Sequence, residues 1–348
     1  MKGSIWIASG LILSIALMLF LLQTRLGMKA DSVRTSDMRP SSETASAKPG
    51  SDQRNPLPEI SGGQQGQQQR ASILFQELLN AIAGNDGPRA GEISLALSDL
   101  LHKFPQSNPE IYRRIVKLIE DPSLSDDAKM TLVNLLSRTA TTSSVETLLE
   151  LSSADLNGTL RRWIYAAIGD IGEYFWDNKH YPEIAPILSD AWTEARDPEL
   201  LQALASAMAK VGIGRGVDQL FDAVLSQGST MAQILASRNP LVQAALGALQ
   251  RANSPDLIPA ISERLTNSST SAETTLCTGI LVSIQNENAA RVLLEWAQNA
   301  ENSSAILARD VFARIWNADC LNYLNSAVQN AQFKSSQVET AILSALRK

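Results

Sequence analysis

At 348 residues and 44% hydrophobic content, the chain is long and apolar enough to bury a sizeable core and is not disordered throughout. It carries 30 Lys and Arg against 36 Asp and Glu, a net charge of −6, and its two cysteines exclude a disulfide framework. The eight Lys/Arg and five Asp/Glu before residue 71 leave 22 against 31 in the remainder, a net charge of −9 that repels phosphate backbones and argues against a nucleic-acid partner.

The chain opens with a short tail, residues 1–4, followed by an uncharged apolar stretch, Ile5 to Leu22, with Trp6 near one end and Arg25 just past the other. Its 18 residues would make a helix of about 27 Å at ~1.5 Å per residue, close to the ~30 Å hydrocarbon core of a bilayer. That length predicts a transmembrane helix over residues 5–22. A cleaved signal peptide has a shorter apolar region of ~7 to 15 residues ending in small residues at the cut, and no such site is well formed here. Residues 23–70 then shift to Ser, Thr, Pro, Gly, Gln and scattered charge, ending in SGGQQGQQQR. Such a composition buries little and predicts a disordered linker. Its 48 residues give an r.m.s. reach of roughly 40 Å.

From residue 71 to residue 348 apolar residues recur at helical spacing, and no sustained alternation marks strands. The prediction is an all-α domain of many short helices. Asn108-Pro109, Asp197-Pro198 and Asn239-Pro240 each place a capping residue ahead of a first-turn proline, and Ser143 with Glu146 and Thr270 with Glu273 fit capping boxes. The helices come in similar pairs, with Val145, Ile184, Val217, Leu257, Ala290 and Leu321 as equivalent starts. Successive separations of 39, 33, 40, 33 and 31 residues are the spacing of a helical repeat.

The best-matching units, PELLQALASAMAKVGIGRGVDQLFDAVL (198–225) and PLVQAALGALQRANSPDLIPAISERL (240–265), resemble HEAT repeats, of the HEAT/armadillo class, and the resemblance extends over nearly all of the segment after the linker. It implies an α-solenoid of about six to seven helix pairs, each pair burying its apolar face only against its neighbours. The family's Asp and Arg ladder is present in part, with Arg161 and Arg162 in TLRRWIYAAIGDIG fitting it and later units lacking an equivalent. Tetratricopeptide repeats are the alternative, set aside because unit lengths vary and no Trp/Leu-Gly/Tyr spacing recurs. The helix from Gln337 to Lys348 reads as a terminal cap.

No constellation nominates a catalytic residue, a cofactor or a metal. The glycines of VGIGRG (211–216) follow a helix, whereas a phosphate loop follows a strand, so they predict an interhelical turn. His102 and His180 lie far apart in sequence, Asp126-Asp127 suits a helix first turn, and Cys277 and Cys320 read as apolar core residues. Arg113-Arg114-Lys117 and Arg161-Arg162 read as solvated faces or salt-bridged groups. One segment, WIYAAIGDIGEYFWDNKHY (163–181), gathers aromatics in an aromatic-poor chain. If exposed, Trp163, Tyr165, Tyr174, Trp176 and Tyr181 would be partner-binding anchors; otherwise they fill a wider gap between helices.

The functional expectation is a single-pass, membrane-tethered scaffold that binds a protein or peptide partner through its solenoid surface, without catalysis. Two charges precede the span and Arg25, Lys29, Arg34 and Arg39 follow it, which by charge count favours a cytoplasmic body. A short anchor, polar tether and Cys-poor body nevertheless look like a protein of a bacterial inner membrane facing outward into the envelope, and that orientation is the expectation taken. Two alternatives stand beside the scaffold. Some HEAT-like proteins are lyases or their accessories, acting through polar residues in a groove, and an array of this kind can also self-associate as a structural envelope protein.

Overall fold

The computed structural model describes residues 64–173, 178–212 and 215–347. Every regular element among them is helical. The α-helices in chain order are α1 (Gln64–Ala83), α2 (Gly87–Lys103), α3 (Pro109–Glu120), α4 (Asp126–Thr139), α5 (Thr142–Ser153), α6 (Gly158–Gly169), α7 (Tyr181–Glu194), α8 (Pro198–Val211), α9 (Arg215–Leu225), α10 (Met231–Leu235), α11 (Pro240–Arg251), α12 (Ile258–Asn267), α13 (Ser271–Ile284), α14 (Glu287–Asn299), α15 (Ala305–Ala313), α16 (Ala318–Ala327) and α17 (Ser336–Leu346). None of them is long and apolar enough to cross a membrane, and the stretch 5–22 lies outside the described residues. Linker and domain do not meet at residue 70: α1 already begins at Gln64. A run of Gln and Arg has ample helix propensity, and α1 is held by burying Ala71, Leu74, Phe75 and Leu78 against α2.

Capping chemistry starts most of the helices where the sequence places them. Asp197 accepts from Glu199 N at 2.8 Å, Asn239 from Leu241 N at 3.0 Å and Thr270 Oγ1 from Glu273 N at 3.2 Å. The box expected at Ser143 sits two positions earlier. Thr141 is the cap of α5, and its N–H donates to Ser144 Oγ at 2.8 Å, a shorter reach than a glutamate would need. Gly212, with φ +67°, ends α8 in the left-handed conformation that glycine adopts without strain. The sequence VGIGRG therefore leads out of a helix, as expected of an interhelical turn.

Helices stack in two layers. In the first, α2, α4, α6, α8, α11, α13, α15 and α17 each pack on the next; in the second, α3, α5, α7 and α9 do so, then α12, α14 and α16. Cross-layer packing of α5 on α4 and α6, α7 on α8, α9 on α8 and α11, and α14 on α13 closes the core. Seven pairs result, from α2–α3 to α15–α16, with α1 and α17 at the ends. All six equivalent starts lie in the second layer, in α5, α7, α9, the turn before α12, α14 and α16. The two long intervals have physical causes: the 39-residue one contains the Asp170–His180 connection, and the 40-residue one contains the extra helix α10. Small residues allow close packing where α8 meets α11: Ala203, Ala205, Ala207 and Ala209 of α8 and Ala244, Ala245 and Ala248 of α11 are all buried. Burial of each larger side chain between them, such as Leu204 or Leu249, stabilises the array by about 1.5–3 kcal/mol.

Side chains also tie each unit to the next. Lys210 of α8 donates to the Gly169 carbonyl at the end of α6 at 2.8 Å, joined by Ser206 Oγ at 3.2 Å, and pairs with Asp170 and Glu173. This satisfies an orphan C-terminal carbonyl of α6 with a cation, where the helix dipole favours one. Gly172 makes the approach possible: its φ is +83°, and a Cβ would lie 3.1 Å from Lys210 Cβ and 3.3 Å from Lys210 backbone. Gly172→Ala is expected to cost about 1–3 kcal/mol from the left-handed conformation alone, read as a lowered melting temperature with helicity retained.

Further along, Arg264 of α12 reaches back to α9. Its Nη2 lies 2.6 Å and its Nε 3.1 Å from Asp218 Oδ1, Nη1 lies 3.4 Å from Glu273 of α13, and the guanidinium sits 4.6 Å above the Phe221 ring. A later unit therefore does carry an Asp–Arg contact across units, at the place where α10 interrupts the second layer. By contrast, Arg161 and Arg162 donate to nearby carbonyls at the start of α6, those of Leu156 and Gly158. Of the other basic cluster, Arg113 pairs with Glu110 and Arg114 lies over Phe75.

Candidate functional site

The aromatic segment divides. Tyr165 and Tyr181 are buried, and Trp163 is half-buried against the core; Tyr174 and Trp176 lie outside the described residues. In α6 the helical period turns Leu160, Ile164, Ala167 and Ile168 inward, and Tyr165 follows them toward α8. Its hydroxyl donates to Asp197 Oδ2 at 3.1 Å, the same carboxylate whose Oδ1 caps α8. Burial, with the Asp197 hydrogen bond and charge added, pushes the Tyr165 phenol up from its ordinary range, and burial with the Asp256 charge does the same to Tyr181. Neither ring is free to insert into a partner, which corrects the anchor reading for these two and supports the packing one.

Tyr165 does border a groove of ≈ 270 Å³ that crosses α6, α8 and α11. Its floor is Ala166, Gly169 and Ala203; a Cβ on Gly169 would lie 3.6 Å from Ala203 Cα, so small residues keep the floor low. Its rim carries both signs of charge, Asp170 and Glu199 against Arg251, with Gln202 and Ser206 between them.

A larger cleft of ≈ 550 Å³ lies at the α14 and α16 N-terminal turns, lined by Gln285, Asn286, Glu287, Asn317, Asp319, Asn322, Tyr323 and Ser326. Gln285 organises it. This residue ends α13 in the left-handed conformation, φ 51°, and spans the neighbouring turn: its Nε2 donates to Val282 O at 2.7 Å and Arg314 O at 3.2 Å, and its Oε1 accepts from Trp316 N at 3.1 Å and Asn317 N at 3.2 Å. On that braced turn the Trp316 side chain is exposed, with 69% of its surface accessible. Sequence reasoning missed this cleft because its residues come from two units, and because Trp316 is an isolated aromatic in IWNADC that reads equally well as core.

The histidines, far apart in sequence, meet in space. His102 and His180 stand edge to face with ring centroids 4.7 Å apart, and both are buried. His102 Nδ1 is 2.8 Å from Thr139 O and His180 Nε2 is 2.8 Å from His102 O. Since carbonyls only accept, those two nitrogens carry the protons. Among the described residues no three His, Cys, Asp or Glu side chains converge as a metal site.

Cys277 and Cys320 are buried and free. Burial, then the Glu273 charge, pushes the Cys277 thiol up to about 12, and burial raises that of Cys320. Iodoacetamide at pH 8 is expected to leave both unmodified in the folded protein and to alkylate both after denaturation, read by mass spectrometry. The stabilisation Cys277 gains by staying neutral is complete below its ordinary value of 9.0 and falls as pH rises toward about 12.

No protein-family model matches this chain, and no curated protein matches it. Among solved structures, human deoxyhypusine hydroxylase in complex with glycerol is similar at 16% sequence identity and a TM-score of 0.27, over 80% of this chain and 96% of that one.

Proposed function

We propose that this chain is a HEAT-like α-solenoid scaffold, tethered to a membrane through residues 5–22 and the following linker, and that its first-layer face docks an extended segment of a partner protein. The observation that carries this reading is the groove over α6, α8 and α11, because equivalent helices of three successive units contribute to one continuous surface. A low floor of alanine and glycine admits a peptide main chain, and a rim of Glu199, Gln202, Ser206 and Arg251 supplies hydrogen bonds and charge at intervals along it. The tether would hold this surface within reach of membrane-bound partners, in the outward envelope orientation that its likeness to anchored envelope proteins suggests.

The test is site-specific photocross-linking of the full-length protein in its native membrane, with benzoylphenylalanine at exposed Gln202 and, as control, at exposed Glu150 on α5. The scaffold reading expects one reproducible protein adduct from position 202, absent from position 150 and weakened by Arg251→Glu. No adduct at position 202, or equal adducts at both positions, overturns it.

A further inference from the structure

The cleft at the α14 and α16 N-terminal turns differs from the groove in chemistry. No Lys or Arg lines it, and its carboxylates are Glu287 and Asp319, of which Glu287 is paired with Arg291 at 3.1 Å. Phosphates, nucleotides and acidic peptides would therefore meet a wall without cations. Among the lining residues an apolar ligand would find only the Tyr323 ring, itself engaged on one side by Arg291 at 5.9 Å. What the wall does offer is neutral hydrogen-bonding capacity. Asn286 Oδ1 is committed to Ala289 N at 2.8 Å, and Asn317 Oδ1 to Asp319 N at 2.9 Å and Cys320 N at 3.3 Å, so each keeps its amide Nδ2 donors for a ligand. Asn322 and Ser326 add an amide and a hydroxyl, and Asp319 adds an acceptor that can take two hydrogen bonds at once.

Next in the chain to the lining residue Asn317, and bonded through its backbone N–H to Gln285 Oε1, Trp316 adds an exposed, flat apolar side chain. The backbone of its turn is fixed by the four Gln285 hydrogen bonds, and the indole itself is left open to solvent. Leaving so large an apolar surface in water is unfavourable, and a rigid aromatic loses little conformational entropy on binding.

We infer that this cleft binds a neutral oligosaccharide. Vicinal hydroxyls pair with planar amides and a carboxylate, while the C–H face of a pyranose ring packs on an indole; a volume of ≈ 550 Å³ lies within the range of small-ligand sites. The inference is independent of the peptide groove, which lies on other helices.

The test is isothermal titration of the full-length protein in detergent with two neutral probes, the tetramer of N-acetylglucosamine and cellotetraose. Saturable binding of at least one, with a Kd of about 1 mM or tighter, is expected. Trp316→Ala should weaken it by about tenfold, the scale of a lost aromatic contact, and Asn322→Ala should weaken it as well. Both positions are exposed, and unchanged circular dichroism would establish that the variants fold. No saturation with either tetramer, or binding that both variants leave intact, overturns the inference. So does binding of a Lys/Arg-rich peptide at the cleft in place of the sugars, which would mark it as a cation site built on Asp319.

Discussion

Phe221→Ala is expected to destabilise the middle of the array by about 3–5 kcal/mol, the range for removing a fully buried phenylalanine. The ring has no exposed surface, lies in α9, and carries the Arg264 guanidinium 4.6 Å above it. Its loss leaves a cavity at the one place where α10 breaks the second layer. It also removes the surface on which Arg264 rests while holding Asp218 and Glu273. Burial alone would lower the Arg264 pKa, but the hydrogen bond and charge of Asp218, with Asp222 and Glu273, outweigh it and raise the pKa. The cation therefore persists and still seeks its partners in the variant. Arg264→Ala should cost less, about 1–3 kcal/mol, chiefly by leaving the mostly buried Glu273 carboxylate without its cation. The double variant should lose less than the sum, by about 0.5–2 kcal/mol for the cation–ring contact.

Where the loss is felt matters as much as its size. In a stacked array stability is a sum of unit and nearest-neighbour terms. Amide exchange in Phe221→Ala should therefore accelerate in α8, α9, α11 and α13, the helices that pack on or next to the site, and leave α2 and α4 close to wild type. Equal loss of protection across all of these helices would mean that the chain unfolds as one block, and the repeat description would fail at the level of energetics.

The repeat was legible because it is local. Proline after a capping residue, an apolar residue every third or fourth position and a recurring interval of thirty to forty residues are all written within one unit, and α8, α9, α11 and α12 follow them closely. The start of α1 was not legible, since Gln64 to Arg70 have the composition of a linker and become helical on a chain whose next turns bury Phe75 and Leu78. The groove and the cleft were hidden for the opposite reason. Groove and cleft are made by side chains from successive units, so no window of sequence contains either. The cluster of aromatics at 163–181 drew attention by density, yet density does not fix direction: Tyr165 points to Asp197 and the core, whereas lone Trp316 points to solvent.

The histidine pair is the longest-range case, joining residues 78 apart, and it supports a second large expected effect. His102→Ala should cost about 2–4 kcal/mol, from the cavity left by a ring with 2% of its surface exposed and from the stranding of the buried Thr139 carbonyl. His180→Ala strands the His102 carbonyl in turn and should cost about 1–3 kcal/mol. The two rings touch and share one chain of hydrogen bonds from the turn before α7 through α2 to α4, so the double variant should fall short of additivity. Urea unfolding of the three variants measures these terms, and a slowly exchanging ring N–H from each histidine in the proton spectrum reports the bonds themselves. His102→Asn can keep a donor toward Thr139 and should recover part of the loss. If instead both alanine variants fall within about 0.5 kcal/mol of wild type, as surface substitutions do, the pair contributes nothing to the fold. Among the described residues, the Asp170–His180 connection would then be held by the packing of Ile171 and Tyr181 and by the Lys210 ion pairs with Asp170 and Glu173.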